Sequence, residues 1–319
     1  MKTNIDTLSS SDAPAEQALP DTAGAYLAWM AVEKGYAGAT LAAYEGDLKT
    51  FERYLKNRGL SLADPARITR RDLHAFLAEL HRARQAKTSM SRKLSCLRGF
   101  FRFQMRRHGL AVNPAAGLSN PKLSKPHPKS INVDQAFALL EAPDAADPEA
   151  LRDTALAELL YGSGLRISEA LGLGVNDVDA GTGIARVKGK GGKQRLAPLS
   201  DTAVLALRAY MGVRHAFSSD PAQQALFIGR RGKPLQRRQA ARILEALSLK
   251  AGLPTAVHPH MLRHSFASHM LQSGADMRAV QELLGHSRLS TTQRYTHLNL
   301  AQLTQVYDQA HPRSAKKEE

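Results

Sequence analysis

Arg166 stands in Gly162-Ser-Gly-Leu-Arg-Ile-Ser-Glu169, where a helix through Leu156, Leu159 and Leu160 is interrupted by Gly162 and Gly164. A new apolar-periodic stretch opens at Ile167. A guanidinium at a helix start opposes the helix dipole at a cost of roughly a few tenths of a kcal/mol, which an anion bound there would reverse. Pairing with Glu169 one turn on is the plainer alternative. Lys190 lies in Val187-Lys-Gly-Lys-Gly-Gly-Lys-Gln-Arg195, between the strand-like stretches 184–187 and 194–199, and so belongs at the tip of a β-hairpin. Its glycines let the backbone approach a ligand closely. The Gly-x4-Gly-Lys-Ser/Thr order and the following helix of a P-loop are both missing, which disfavours a nucleotide-dependent kinase or ATPase. An ammonium on such a tip can probe a groove or deliver a proton.

His258-Pro-His260-Met-Leu-Arg263-His264-Ser-Phe-Ala-Ser-His269 reads as a helix beginning near His260. His260 and Arg263 then lie one turn apart on one face, able to grip a phosphate between them. Zinc is the rival for His260-x3-His264, but no glutamate follows His260 to activate water and Arg263 intervenes. His264 or His269 suits a cap or a place in the core. In Leu283-Leu-Gly285-His286-Ser-Arg-Leu-Ser290-Thr-Thr-Gln-Arg-Tyr295-Thr-His297, Gly285 ends one helix and Ser290 can cap the next. His286 falls in the turn and Tyr295 on a short new helix, where its phenol is a candidate nucleophile only because of its neighbours.

Positioning these groups requires two helical regions. Residues 1–17 are polar and aperiodic and read as a loose arm. From 18 to 108 the period is helical, with segments near 22–34, from Gly38 to Gly59, after a Thr69/Asp72 capping box, and over 87–108. In the last, Leu94, Leu97, Phe101 and Met105 mark an apolar face and Arg98, Arg102 and Arg106 a basic one, with no acidic residue at i±4 to offset them. Arg92, Arg98, Arg102 and Arg106 are the candidate phosphate contacts there. Residues 109–130 carry Pro114, Pro121, Pro126 and Pro128 with Lys122 and Lys125, which excludes helix and reads as a basic linker. Extended at about 3.1 Å per residue, positions 113 to 130 would span on the order of 50 Å, enough to pass around a duplex. Residues 131–311 form a second, mainly helical region with the hairpin, and 312–319 a charged tail.

Composition fits a polyanion as the partner. There are 44 Lys+Arg against 29 Asp+Glu, a net +15, on a chain that is 43% hydrophobic. Aromatic residues are only 6%, which disfavours stacking platforms for single strands and favours duplex. The single cysteine, Cys96, allows no internal disulfide and reads as a buried structural thiol. With no membrane-length apolar run and no secretory start, the chain is expected to stay in the cytoplasm.

Gly164-Leu-Arg166-Ile-Ser-Glu169, Gly189-Lys190-Gly191, the 258–267 stretch, Leu284-Gly-His286-Ser and Ser290-Thr-Thr-Gln-Arg-Tyr295-Thr-His297, in that order, resemble the tyrosine site-specific recombinases of the phage-integrase family, and within them the Xer recombinases. The tail Val306-Tyr-Asp-Gln-Ala-His-Pro-Arg313 is similar to an Xer ending, and the likeness covers about 20 to 313. Arg294, before the tyrosine, departs from the usual Xer residue without touching a catalytic position. The resemblance implies a fold that is mainly α with a small β-hairpin or sheet: an N-terminal four-helix core-binding domain, the linker, and a C-terminal α+β catalytic domain. It implies Tyr295 as the nucleophile forming an O-(3′-phospho-DNA)-tyrosine, Arg166 and Arg263 stabilising the phosphate, His260 and His286 assisting, and Lys190 as general acid. No metal, ATP or other cofactor is called for. Implied partners are duplex DNA with a dif-like site, a XerD-like recombinase in a heterotetramer or a homotetramer without one, and the FtsK translocase; no membrane is involved. The implied role is the resolution of chromosome dimers during cell division. An integrase of a mobile element is the alternative within the class, and a non-catalytic DNA-binding clamp the alternative outside it.

Overall fold

The computed structural model describes residues 18–121, 130–142, 147–189, 192, 194–285 and 297–314, without the side chains of 297–301. The chain forms two compact units, 1–125 and 126–319.

The first unit is four helices: α1 (Asp21–Val32), α2 (Gly38–Lys56), α3 (Arg70–Arg82) and α4 (Lys87–His108). The Thr69/Asp72 capping box forms as expected, with Asp72 accepting from the Thr69 N–H at 2.9 Å and the Asp72 N–H donating to Thr69 Oγ1 at 3.4 Å. Gly109, at φ 70°, ends α4 in the left-handed conformation. The core joins Tyr26, Leu48, Phe51, Leu55, Phe76, Leu94, Leu97, Phe100 and Phe101. Cys96 is fully buried, and burial pushes its thiol pKa up, as suits a structural role. Met105, expected on the apolar face, is instead exposed, and Gln104 takes the inward position. A strict four-residue spacing drifts off a 3.6-residue helix over two turns, so the buried face passes from Phe101 to Gln104.

The expected linker starts later than its composition suggests. Ala115 and Leu118 are buried in the first core and Leu110 packs against it. The Asn113 amide donates to the Arg98 carbonyl at 3.2 Å, and Arg98 Nη2 donates to the Leu118 carbonyl. Prolines exclude helix without preventing burial of the apolar residues between them. Lys122 and Lys125 lie outside the described residues.

The second unit holds α5 (Val133–Glu141), α6 (Pro148–Ser163), the single turn α7 (Ile167–Ala170), β1 (Val178–Asp179), β2 (Ile184–Lys188), β3 (Gln194–Pro198), α8 (Asp201–Val213), α9 (Arg237–Lys250), α10 (Pro259–Gln272), α11 (Met277–Leu283) and α12 (His297–Ala310). The strands form an antiparallel sheet in the order β1-β2-β3, with Lys188 opposite Gln194 at the turn end of the expected hairpin. β1 is two residues long, too short to show a period, while α5 goes unread although its Asn132/Gln135 capping box is a local signal. Among the described residues no helix is long and apolar enough to cross a membrane.

Gly164 closes α6 at φ 60°, and a Cβ there would strike the Phe266 ring of α10. This close approach brings Arg166, two residues on, toward Arg263, one turn before Phe266. For the segment after Tyr295, with Leu298, Leu300, Leu303 and Val306, the resemblance implies a helix docking into a neighbouring subunit, with packing on its own domain as the alternative. α12 lies on its own unit: Leu303, Tyr307 and Ala310 are buried against Phe266, Met270, Val280, Leu283 and Leu284. The Tyr307 hydroxyl donates to the Gly162 carbonyl.

Two histidines are buried beneath this helix. His269 Nε2 meets the Ile131 carbonyl at 3.0 Å and therefore donates, so Nδ1 accepts from the Tyr161 hydroxyl at 2.9 Å. His311 stacks on Tyr307 with centroids 4.9 Å apart. Burial lowers both pKa values, that of His311 to about 3. A histidine whose folded pKa is depressed contributes stability above its unfolded value near 6.5 and loses it as pH falls toward the folded value, at about 1.4 kcal/mol per pH unit below 6.5. The melting midpoint of the second unit is therefore expected to drop steeply between pH 6.5 and about 4, and His311→Gln to flatten that slope, as thermal melts across pH would report.

Candidate active site

Glu169 organises the site. It is 8% exposed, and its Oε2 accepts from the Arg166 backbone N–H at 2.9 Å and from Arg195 Nη2 at 3.2 Å, while Oε1 accepts from Arg166 Nη1 at 2.8 Å. Arg263 Nη1 stands 3.9 Å from Oε2. Burial by itself would raise the Glu169 carboxyl, but the Arg166 N–H and the Arg195 charge outweigh it and hold the pKa below the ordinary value. One carboxylate thus faces three guanidiniums, leaving a positive surplus suited to an anion.

The plainer expectation for Arg166 is realised: its charge is met by Glu169, and α7 is too short for a helix-end anion site. The pairing occupies Nη1 only. The Arg166 side chain remains 46% exposed, with Nε and Nη2 unpartnered among the described residues. Arg263 is 7% exposed; its Nη1 donates to the Gly164 carbonyl and its Nη2 to the Leu284 carbonyl, both at 2.7 Å. Burial, with repulsion from Arg166, lowers its pKa to about 10, so it remains cationic at pH 7. Each terminal nitrogen keeps a second N–H for a ligand.

His258 caps α10, its Nδ1 accepting from the Met261 N–H at 3.2 Å, and this places His260 in the exposed first turn, one turn before Arg263. The structure therefore brings together Arg166 and Arg263 on Glu169, with His260 on the same helix as Arg263, three residues before it. Lys190, His286 and Tyr295 lie outside the described residues; β2 and β3 bring the hairpin to Lys188 and Gln194, and Gly285 ends the described chain just before His286. Among the described residues no group of three or more His, Cys, Asp or Glu is placed to hold a metal ion.

The chain matches the models of the Phage integrase family over residues 129–302 and of the Phage integrase, N-terminal SAM-like domain over 24–108. It is 44% identical to the tyrosine recombinase XerC of Chromobacterium violaceum, over 89% of this chain and 92% of that one. It is 39% identical to the tyrosine recombinase XerD of Bifidobacterium longum, over 91% and 96%. The chain belongs to the phage integrase family of tyrosine recombinases. In fold it is similar to a lambda integrase(75-356) dimer bound to a COC′ core site, with TM-score 0.63 and 19% identity over 86% of this chain and 97% of that one. As a tyrosine recombinase it is a DNA-binding enzyme that cleaves and rejoins DNA strands, and it acts as a site-specific recombinase.

For this recombinase the expected basic stripe of α4 divides. Arg92 Nη1 donates to the Ala43 carbonyl at 2.9 Å and to Asp47 at 2.5 Å, and the buried Lys93 pairs with the same carboxylate at 2.9 Å. Arg98 is half-buried and bonded to Leu118. Asp47 comes from α2, so these partners could not be found at i±4. Arg102 and Arg106 remain exposed and unpartnered among the described residues. If Arg102 neutralises one phosphate, Arg102→Ala is expected to weaken duplex binding and reduce the slope of log K against log salt by about 0.9. Binding titrations at several salt concentrations check this.

Sequence reading missed further groups. Glu169 figured only as a surface partner, although Glu three residues after a helix start is a capping signal. Arg195 was not singled out. On the second unit Arg231, Lys233, Arg237, Arg238 and Arg242 are exposed without partners among the described residues, the middle pair opening α9 against its dipole. Their clustering over 231–242 is a signal that composition alone dilutes.

Proposed function

We propose that this recombinase cuts and rejoins duplex DNA at a dif-like site through a 3′-phosphotyrosine intermediate, resolving chromosome dimers during cell division. The observation that carries the reading is the convergence of Arg166 and Arg263 on one carboxylate from segments about a hundred residues apart, together with the likeness to XerC and XerD along most of the chain. Tyr295 attacks the scissile phosphorus; the O–P bond forms as the bond to the 5′ oxygen breaks. The phenol proton passes to His260, and Lys190 protonates the leaving oxygen. Arg166 and Arg263 meet the charge on the non-bridging oxygens, with His286 adding a hydrogen bond. A partner strand's 5′ hydroxyl then displaces the tyrosine, so the ester bond is conserved and no energy source enters.

Elimination supports Tyr295. The other tyrosines of the second unit, Tyr161, Tyr210 and Tyr307, are fully buried with hydroxyls bonded to His269, the Leu226 carbonyl and the Gly162 carbonyl, and burial raises the pKa of each. Arg102, Arg106 and the 231–242 cluster, with Lys122 and Lys125, hold the DNA backbone. The working assembly is a tetramer at the nucleoid in the cytoplasm, with a XerD-like partner or as a homotetramer, under control of an FtsK translocase. A nicked suicide duplex carrying a candidate dif sequence tests the chemistry: wild type is expected to be trapped as a covalent adduct, and its absence sinks the enzyme reading. Footprints with and without a second recombinase, and the presence of a dif-like site near the replication terminus rather than an att site beside the gene, test the role.

A further inference from the structure

Arg195 takes none of the roles assigned above, yet it is almost as enclosed as Arg263. It is 8% exposed, and its Nε is buried with no hydrogen-bond partner among the described residues. Its Nη2 reaches Glu169 at 3.2 Å. Its other side lies against Gly285: a Cβ there would sit 2.7 Å from Nε, 2.9 Å from Cδ and 3.1 Å from Cζ. Gly285 is held at φ 66°, and the Leu284 carbonyl before it accepts from Arg263. The Leu284–Gly285 turn is therefore gripped twice, by a hydrogen bond from Arg263 and by the flat face of Arg195. Burying an arginine with an orphan N–H is unfavourable for the fold, and an apolar side chain would fill the same space at less cost. What the guanidinium adds is a wedge with a charged end, joining the carboxylate that orients Arg166 to the turn that leads directly into His286.

We infer that Arg195 is a positioning residue for the recombination chemistry: wedged between Glu169 and Gly285, it sets the carboxylate partner of Arg166 and the take-off of the segment carrying His286. The inference rests on the recombinase reading. Because Arg195 touches the carboxylate that pairs with Arg166 and the turn whose Leu284 carbonyl Arg263 holds, it acts through the two arginines proposed to meet the non-bridging oxygens and so on stabilisation of the phosphate, not on protonation of the leaving group. Although β3 also leads back to the hairpin of Lys190, the contacts made by the side chain itself are with Glu169 and Gly285.

The full-length chain is assayed for adduct formation on nicked suicide duplexes with either the natural 5′ oxygen or a bridging 5′ sulfur, which leaves without needing a proton. Arg195→Gln and Arg195→Lys are expected to bind DNA like wild type and to form adduct at least 30-fold more slowly on both duplexes. Lys190→Ala is the comparator whose defect the sulfur lifts. Gly285→Ala, which pushes a methyl into Arg195, is expected to slow the wild-type chain at least tenfold but Arg195→Ala no more than threefold further. Thermal melts accompany each variant; if Arg195→Ala does not fold, Gly285→Ala and Arg195→Lys still decide. Wild-type rates in Arg195→Gln and Arg195→Lys, restoration by sulfur, or fully additive effects of Gly285→Ala and Arg195→Ala would each overturn the inference. No adduct from wild type on either duplex would instead remove the recombinase reading on which it rests.

Discussion

Tyr295→Phe is expected to abolish covalent capture of DNA while leaving duplex binding within about twofold of wild type. The substitution removes one oxygen, the atom that would form the ester, and no side-chain contact with DNA of comparable energy is lost. The loss should exceed about 10⁴-fold, beyond the reach of a denaturing-gel assay, because an enzyme lacking its nucleophile keeps only its binding and electrostatic groups. No other tyrosine of the catalytic unit can substitute. Tyr307 is the next along the chain, but it is fully buried, bonded to the Gly162 carbonyl, and held protonated by burial well above the ordinary tyrosine value. An adduct that survived in Tyr295→Phe would mean that the nucleophile lies elsewhere. Mobility-shift titration and a denaturing gel on the same nicked duplex read the two quantities separately.

Arg263→Lys carries the second large expectation. The guanidinium spans the Gly164 and Leu284 carbonyls, both at 2.7 Å, with hydrogens left for a phosphate. A lysine ammonium reaches one of these positions but not all, so the adduct rate is expected to fall about 10³-fold, equivalent to about 4 kcal/mol of transition-state stabilisation. The unmatched carbonyl costs about 1–3 kcal/mol of stability in addition, visible as a lower melting midpoint. Burial and the neighbouring Arg166 already lower the arginine to about 10. The same surroundings lower a lysine from an ordinary value near 10.4, so the residual activity of Arg263→Lys is expected to decline as pH rises through neutrality, while the wild-type arginine keeps its charge. A pH-flat residual rate in the variant would show that the charge of this side chain is not the quantity that matters.

The helices of the first unit were legible because their signals are local. Thr69 and Asp72 form the capping box read from their spacing, and α4 runs from Lys87 to His108 as its period predicts. The hairpin was legible for the same reason: Ile184 to Val187 and Gln194 to Leu199 have strand composition around a glycine-rich turn. Arg166 drew notice as a cation at a helix start after a pair of glycines, and Arg263 as a guanidinium one turn from His260 on the same helix face. Less local features were missed or misplaced. Met105 left the apolar face because helical pitch accumulates over turns. Leu118 and Ala115 joined the first core because proline-rich composition speaks about backbone and not about burial. α12 settled on its own unit, its apolar residues meeting a complementary surface on α10 and α11 at the high effective concentration of the same chain.

The division follows from range. Residue types and spacing within a turn or two of chain determined the two helical regions and the hairpin, and the order of the motifs along the chain carried the resemblance to the family. Only the tertiary structure decided which charges are spent inside the protein and which remain exposed. Arg92 goes to Asp47, 45 residues away, and Arg98 to Leu118, while Arg102 and Arg106 stay free among the described residues. Likewise only the fold could show that Glu169 gathers Arg166, Arg195 and Arg263, since a buried carboxylate selects its partners by distance in space, and electrostatic energy at low dielectric is set by that distance and not by separation along the chain.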